Sequence, residues 1–514
     1  MMLRRVLTMR TLATSRRVLL AFWRVLRLRI LEVRRMDRAI RRMWMSAACV
    51  FVLLMGTLSY IQFFDSKTLM NNQWNSRALY DNYGSARGSI VVDGTEIASS
   101  VKSDDEYNYQ RVYNHPLKYA ALTGYFSTIY GATGLEAAMD KELAGTSDSQ
   151  FYDRVAQLFS GSSAQGASVE LTINSKLQDI AYNALQGRKG AVVAMNPKTG
   201  EILAMASSPS YDPNLLSSHT SSSVLANYQA LTSDEDSPLF NRAIAGNTYS
   251  PGSTFKIIDA VAALESGKYN ASSVIANPAQ LPLPGTNISL PNYTGGQCST
   301  RTQATIEWAL AQSCNTPFAQ IAMDLGQERI AKTAENFGYG QDLKIPLTVS
   351  KSSFPSNLTQ SQLAQSAIGQ YDVKTTPLQV AMTSAAIANG GVQMKPNLIR
   401  SVKTSNLSTL QEFSPEKLRT STSPEIANQV KQWMVNAVDN GIARNAGVSG
   451  VKVAGKTGTA ETTAGLNNSW FTGFAPADDP QIAIAVVYED IDVATGAQLA
   501  TSTSKQLFEA VLNK

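Results

Sequence analysis

Three short patterns in this chain pair a hydroxyl with an amine or an amide at spacings that suit acyl transfer. Ser253-Thr254-Phe255-Lys256 sets a serine and a lysine three residues apart. On a helix such residues share a face, so the amine can reach the hydroxyl and take its proton. By itself Ser-x-x-Lys says little, because it also occurs at Ser99, Ser414, Ser449 and Ser502. Context separates the copies. Ser253 follows the turn Pro251-Gly252 and opens the apolar run KIIDAVAALES, which stops at Gly267. A serine in that place is ordinarily an N-cap. The same place would set its hydroxyl in the positive end of the helix, which favours an anionic transition state. Ser414 precedes Pro415, and Ser99 and Ser502 lie in polar stretches.

The second pattern is Ser313-Cys314-Asn315, inside a helical stretch. Positions i and i+2 do not share a helix face, so the pair makes sense where a helix ends or bends into a cleft. Standing alone it reads as a hydrogen-bonding pair at a helix terminus. The third pattern, Lys-Thr-Gly, occurs twice. Lys198-Thr199-Gly200 sits in a hairpin turn, where the glycine is turn chemistry. Lys456-Thr457-Gly458-Thr459 follows VKVAG on a predicted edge strand, where Gly458 is expected to let a substrate backbone come close. The second copy is the functional candidate. Ser253, Lys256, Ser313, Asn315 and Lys456 are the catalytic candidates, with Thr457, Gly458 and Thr459 as substrate-binding ones.

Elements able to position these residues are legible around them. GAVVAMNPKTGEILAMAS predicts one hairpin, and NSWFTGFAP followed by QIAIAVVYED predicts another. INSKLQDIAYNAL, TIEWALAQSCNTPFAQIAMDLG, PLQVAMTSAAIANGG and the final STSKQLFEAVLN carry helical patterns. Strands at both ends of a stretch with helices between them imply an α+β domain whose sheet is assembled from distant segments. That domain is placed at 168–514. Residues 65–167 are polar and turn-rich, and read as a small non-catalytic α+β spacer module.

The chain has 514 residues, 44% hydrophobic and 17% charged, so it reads as globular and too long for one ordinary domain. Its net charge of +5 is unevenly placed. Residues 1–42 hold thirteen of the 45 basic residues, all Arg, and two of the 40 acids, so this segment carries +11 and the remainder −6. A nucleic-acid partner is not indicated, because the part able to fold is acidic. Met43 to Phe64 is a run of 22 residues without a charge, flanked by Trp44 and Tyr60. At ~1.5 Å per residue it suits a bilayer core of about 30 Å. The Arg-rich flank is expected to stay cytoplasmic, leaving everything after Asp65 outside as a single-pass protein of the cell membrane. The natural start is either Met1 or Met36. Two histidines, His115 and His219, and no Cys-x-x-Cys leave no zinc set, and no metal or cofactor is called for. Cys298 and Cys314 lie in an oxidising compartment, and the sequence leaves both the disulfide and the free pair open.

Ser253, Ser313 and Lys456 in this order form a set shared by penicillin-binding proteins and class A β-lactamases. With GSIVVDG, YGATGLE, GAVVAMNPKTGEILAMAS, SPGSTFK, AIGQ and TTPLQVA, the chain resembles the class B penicillin-binding proteins from about Met36 to its end, most closely the actinobacterial penicillin-binding protein A group. The resemblance implies the penicilloyl-serine transferase fold, an antiparallel sheet between helices, and peptidoglycan D,D-transpeptidase activity. It further implies that Ser253 attacks a D-Ala-D-Ala stem peptide, that Lys256 takes its proton, and that Ser313 relays a proton to the leaving amine. Asn315 would hold the substrate amide and Lys256. Lys456 would supply positive potential, and Thr457 and Thr459 would bind the terminal carboxylate. The backbone N–H groups of Ser253 and Thr459 would make the oxyanion hole. Implied partners are stem peptides, β-lactams, the membrane and a glycan polymerase of the SEDS type. A D,D-carboxypeptidase and a non-enzymatic β-lactam receptor are the alternatives. A β-lactamase is disfavoured, since no Glu-x-x-Leu-Asn follows Ser313.

Overall fold

The computed structural model describes residues 3–65, 84–150, 165–246, 248–293, 296–462 and 465–513. They fall into two compact units, Met1–Leu79 and Tyr80–Lys514.

The first unit is the helix Leu3–Tyr60, closed by a π-helical turn at Ile61–Asp65. Its stretch Arg38–Phe64 has 27 residues, long enough at ~1.5 Å per residue to cross a bilayer. Trp44, Phe51, Val52 and Leu53 on it are exposed. An apolar surface of this kind asks for lipid or a partner to cover it, and the helix fits a single-pass membrane protein.

The second unit is built on two sheets. One is a five-stranded antiparallel sheet ordered Ala454–Glu461, Asn467–Ala475, Ile482–Ile491, Gly190–Met195 and Ile202–Ser208. Both predicted hairpins are in it, brought side by side by the pairing of Val486 with Val192. Alternate residues of Ile482–Ile491 enter different cores. Ile482, Ile484 and Val486 pack with Leu177, Leu507 and Phe508 of the flanking helices Ser175–Ala184 and Val493–Val511. Ala483, Ala485 and Val487 share the other core with Leu378 and Met382 of the wholly buried helix Pro377–Ala388. Burial on both faces is why this strand reads as a continuous apolar run instead of an alternating one.

The second sheet has six strands in the order Thr409–Glu412, Ile399–Lys403, Ser168–Leu171, Ile90–Val92, Thr95–Lys102 and Tyr109–Tyr113. Ser168–Leu171 pairs parallel to Ile90–Val92 and antiparallel to Ile399–Lys403. The sheet therefore crosses residue 167, where the sequence pattern changes character, and recruits a hairpin from far along the chain. Beneath it lies a buried ionic cluster. Glu136, fully buried, accepts from Arg87 Nε at 2.6 Å, Arg111 Nε at 2.7 Å and the Tyr113 hydroxyl at 3.2 Å. Burial pushes the Glu136 carboxyl up, but Arg111 and Arg87 outweigh it and hold it below the usual range. Arg87 precedes GSIVVDG and Glu136 ends YGATGLE, so these stretches carry this module's polar core.

Candidate active site

Residues 249 and 250, leading into the site, are fixed on both sides. Tyr249 exchanges two backbone hydrogen bonds with Thr375, each 2.8 Å. The Trp470 indole donates to the Ser250 carbonyl at 3.2 Å, and its ring meets Tyr249 edge to face. Gly252 then turns the chain with φ +54°, donating its N–H to the Gly369 carbonyl at 3.0 Å. A Cβ there would lie 2.5 Å from the Thr459 carbonyl oxygen, so only glycine lets this turn sit against the edge strand. A single 3₁₀ turn, Gly252–Phe255, leads into the helix Lys256–Glu265.

Ser253 sits within that 3₁₀ turn and caps nothing: neither the turn nor the helix has a side-chain cap bond. The N-cap alternative fails here because Thr254 supplies the local tie instead, its hydroxyl donating to the Pro251 carbonyl at 2.8 Å. Among the described residues the Ser253 hydroxyl makes no hydrogen bond, and the residue is partly exposed.

Lys256, one turn on, is fully buried. Its Nζ donates to the Ser313 carbonyl at 2.9 Å and to Asn315 Oδ1 at 2.7 Å. Burial pushes its pKa well below that of an ordinary lysine, and the charge of Lys456 adds to the drop while Asp259 opposes it. The amine therefore tends towards the neutral form that a base requires.

Ser313 lies in the gap between the helices Ile306–Ala311 and Asn315–Leu325, with φ +61°. The helix bends as the Ser-x-Asn spacing demands, so both side chains reach one place. The Ser313 hydroxyl accepts from Lys456 Nζ at 2.7 Å, and Lys456 also donates to the Thr457 carbonyl at 2.9 Å. Burial lowers the Lys456 pKa to about 7. Asn315 is pinned at both ends of its amide and backbone: its N–H donates to Asn292 Oδ1 at 2.7 Å and its Nδ2 to the Pro291 carbonyl at 2.9 Å.

The edge strand Ala454–Glu461 carries Lys456, Thr457, Gly458 and Thr459 and is paired on one side only, to Asn467–Ala475. Gly458 makes a close approach within the chain itself. Its missing Cβ would meet Thr254 Cγ2 at 2.8 Å and the Pro251 carbonyl at 3.0 Å, so the glycine leaves room for the turn that carries Ser253. Lys198-Thr199-Gly200 is a turn as read, with exposed Lys198 paired to Asp479. Ser99 lies in a strand of the other sheet, and the Ser502 hydroxyl bonds back to Leu499 in the last helix.

The disulfide that the sequence left open is formed. Cys298 and Cys314 are 5.4 Å apart at Cα, which ties the middle residue of Ser313-Cys314-Asn315 to the turn Gln297–Thr300. Sequence reasoning missed Asn292, Gly369 and Trp470. No local spacing points to them, because each serves by touching a motif distant in sequence; AIGQ holds Gly369 and NSWFTGFAP holds Trp470, but neither stretch marks the residue.

A hydroxyl without a hydrogen bond, one turn before a buried amine of depressed basicity, is what acyl transfer through serine needs. This class of lysine-assisted serine acyl-transferase has known families. Residues 190–513 match the family described as penicillin binding protein transpeptidase domain, and residues 87–169 match the penicillin binding protein A dimerisation domain. The chain belongs to the class B penicillin-binding proteins. It is 37% identical over 492 residues to the peptidoglycan D,D-transpeptidase PbpA of Mycolicibacterium smegmatis, covering 93% of this chain and all of that protein. The peptidoglycan D,D-transpeptidase MrdA of Acinetobacter baumannii is 31% identical over 63% of this chain and 51% of its own length. The imipenem acyl-enzyme complex of penicillin-binding protein A from M. tuberculosis superimposes with a TM-score of 0.80 at 37% identity, covering 84% of this chain and all of that one. The fold is thus the mixed α+β transpeptidase fold with an N-terminal module.

Proposed function

We propose that this protein is a peptidoglycan D,D-transpeptidase and β-lactam target that works through an acyl-enzyme on Ser253. The observation that carries the reading is the pair of buried lysines. Lys256 is held by Asn315 and the Ser313 carbonyl with depressed basicity, and Lys456 is held on the Ser313 hydroxyl. Ser253 Oγ attacks the carbonyl between the last two residues of a D-Ala-D-Ala stem peptide, and its proton passes to Lys256. Ser313 and Lys456 form a short relay that returns a proton to the departing D-alanine amine. The open side of the edge strand takes the donor peptide as an added strand. Thr457 and Thr459 hold its carboxylate near the Lys456 charge, and the N–H groups of Ser253 and Thr459 hold the oxyanion. An amine of a second stem peptide then takes the acyl group.

The membrane arrangement that supports this work is a cytoplasmic Arg-rich segment at 1–42, a span at 43–64, a non-catalytic module at 65–167 and the transpeptidase domain at 168–514 outside. The Arg-rich flank supports that orientation. A membrane glycan polymerase of the SEDS type is the partner this arrangement suits. The test is a donor peptide ending in D-Ala-D-Ala, supplied with a D-amino-acid acceptor. Transfer product with released D-alanine is expected; hydrolysis alone would make the enzyme a carboxypeptidase, and no turnover with intact β-lactam binding would make it a receptor.

A further inference from the structure

Beside the nucleophile turn, one residue is held in a backbone conformation its side chain disfavours. Tyr371 has φ +58°. The other described non-glycine residues in this region are Asp, Asn, Ser and His, apart from Leu407, and those small polar types tolerate it far better than an aromatic does. Ordinarily a strained residue is repaid by packing, but this one is not. Tyr371 is 45% exposed, and among the described residues its ring has no aromatic partner and its hydroxyl no hydrogen bond.

Its neighbours explain how the conformation is imposed. Gly369 accepts the Gly252 N–H at 3.0 Å and is so close that a Cβ on it would lie 2.0 Å from the Gly252 carbonyl oxygen. Val373 is fully buried, and Lys374 and Thr375 pair with Ser353 and Tyr249. The turn is thus clamped before and after Tyr371, and the ring is presented to solvent. One residue, Gln370, separates it from Gly369, two Cα steps or roughly 7 Å of chain at most. Gly369 in turn touches Gly252, which also abuts Thr459 of the edge strand. Tyr371 therefore follows by two positions the residue that packs where the Ser253 turn and the edge strand meet.

We propose that Tyr371 is a specificity-determining residue, an aromatic platform at the mouth of the cleft against which the acyl-donor peptide packs when Ser253 is acylated. This role rests on the function proposed above. Strain kept without a packing return is a feature of ligand-contacting positions, and an exposed rigid ring offers contact area at small entropic cost.

Full-length Tyr371→Gly and Tyr371→Phe proteins test it with three readouts. Glycine relieves the backbone strain, so the melting temperature should rise by about 1–3 °C. Loss of the ring should raise KM for a D-Ala-D-Ala-ended peptide donor about fivefold to tenfold with kcat within about twofold. Acylation by 6-aminopenicillanic acid, which lacks the peptide-mimicking side chain, should be unchanged. Tyr371→Phe should match the wild type throughout, because the hydroxyl has no partner. An unchanged peptide KM in Tyr371→Gly, a lowered melting temperature, or an equal loss with 6-aminopenicillanic acid would each overturn the role. Donor turnover surviving in Ser253→Ala would instead sink the nucleophile assignment, and this role with it.

Discussion

Replacing Gly252 by alanine probes the contact on which the site's geometry depends. The added methyl would lie 2.5 Å from the Thr459 carbonyl oxygen, 2.7 Å from its carbon and 3.0 Å from its nitrogen. All three atoms are backbone, so no flexible side chain can swing aside. To reach an ordinary carbon–oxygen contact, the nucleophile turn and the edge strand must separate by about 1 Å. Alanine at φ +54° also costs about 1–2 kcal/mol of backbone strain. Overpacking of a tight contact adds about 1–3 kcal/mol, giving a loss of about 2–5 kcal/mol. The kinetic effect should be of similar size, since a displacement of about 1 Å between reacting groups can cost on the order of 100-fold, or about 2.7 kcal/mol. Stopped-flow acylation by a fluorescent penicillin, alongside thermal unfolding, measures both. A Gly252→Ala protein that acylates within twofold of the wild type would show that the turn and strand need not touch, and would refute the reasoning.

Other substitutions follow from the same contacts. Asn315→Asp places a carboxylate on Lys256 Nζ, now 2.7 Å from Oδ1. This should raise the Lys256 pKa, move the acid limb of the acylation pH profile upward and slow acylation at neutral pH. The Lys456 pKa of about 7 implies that its charge fades as pH rises through 7, so KM for a carboxylate-ended donor should climb above that pH while acylation by an uncharged ester donor should not. Glu136→Gln should cost about 3–5 kcal/mol by leaving Arg87 and Arg111 with an uncharged partner in a buried site. Because the folded Glu136 pKa lies below its unfolded value of about 4.5, its stabilisation is complete above that pH and is lost as pH falls through the folded value. Urea unfolding of the wild type should show this acid dependence, and the Gln variant should lose that part of it.

The site was more legible in the sequence than the architecture that holds it. Ser253, Lys256, Ser313, Asn315 and Lys456 declare themselves because serine, lysine and asparagine at fixed spacing have chemical meaning, and the structure links four of them by hydrogen bonds, Lys256 to Asn315 and the Ser313 carbonyl and Lys456 to the Ser313 hydroxyl, with Ser253 one turn before Lys256. The two hairpins and the helix Pro377–Ala388 were visible as apolar runs bounded by turns. The six-stranded sheet was not. Its strand Ile399–Lys403 joins Ser168–Leu171 through pairing between distant segments, and short strands carry too little periodicity to announce a partner. Gly458 was legible only in part. A glycine on an edge strand signals close approach, but the sequence does not say whose backbone approaches, and here it is the nucleophile turn. The turn at Gly369 and the clamp on Tyr371 likewise exist only in three dimensions.

The central claim is that an acyl group forms on Ser253. Intact-protein mass spectrometry after exposure to penicillin G, followed by peptide mapping, measures that bond directly. The account predicts one penicilloyl adduct, on the peptide carrying Ser253, and none in Ser253→Ala. An adduct on another residue, or a Ser253→Ala protein that is still acylated, would contradict it.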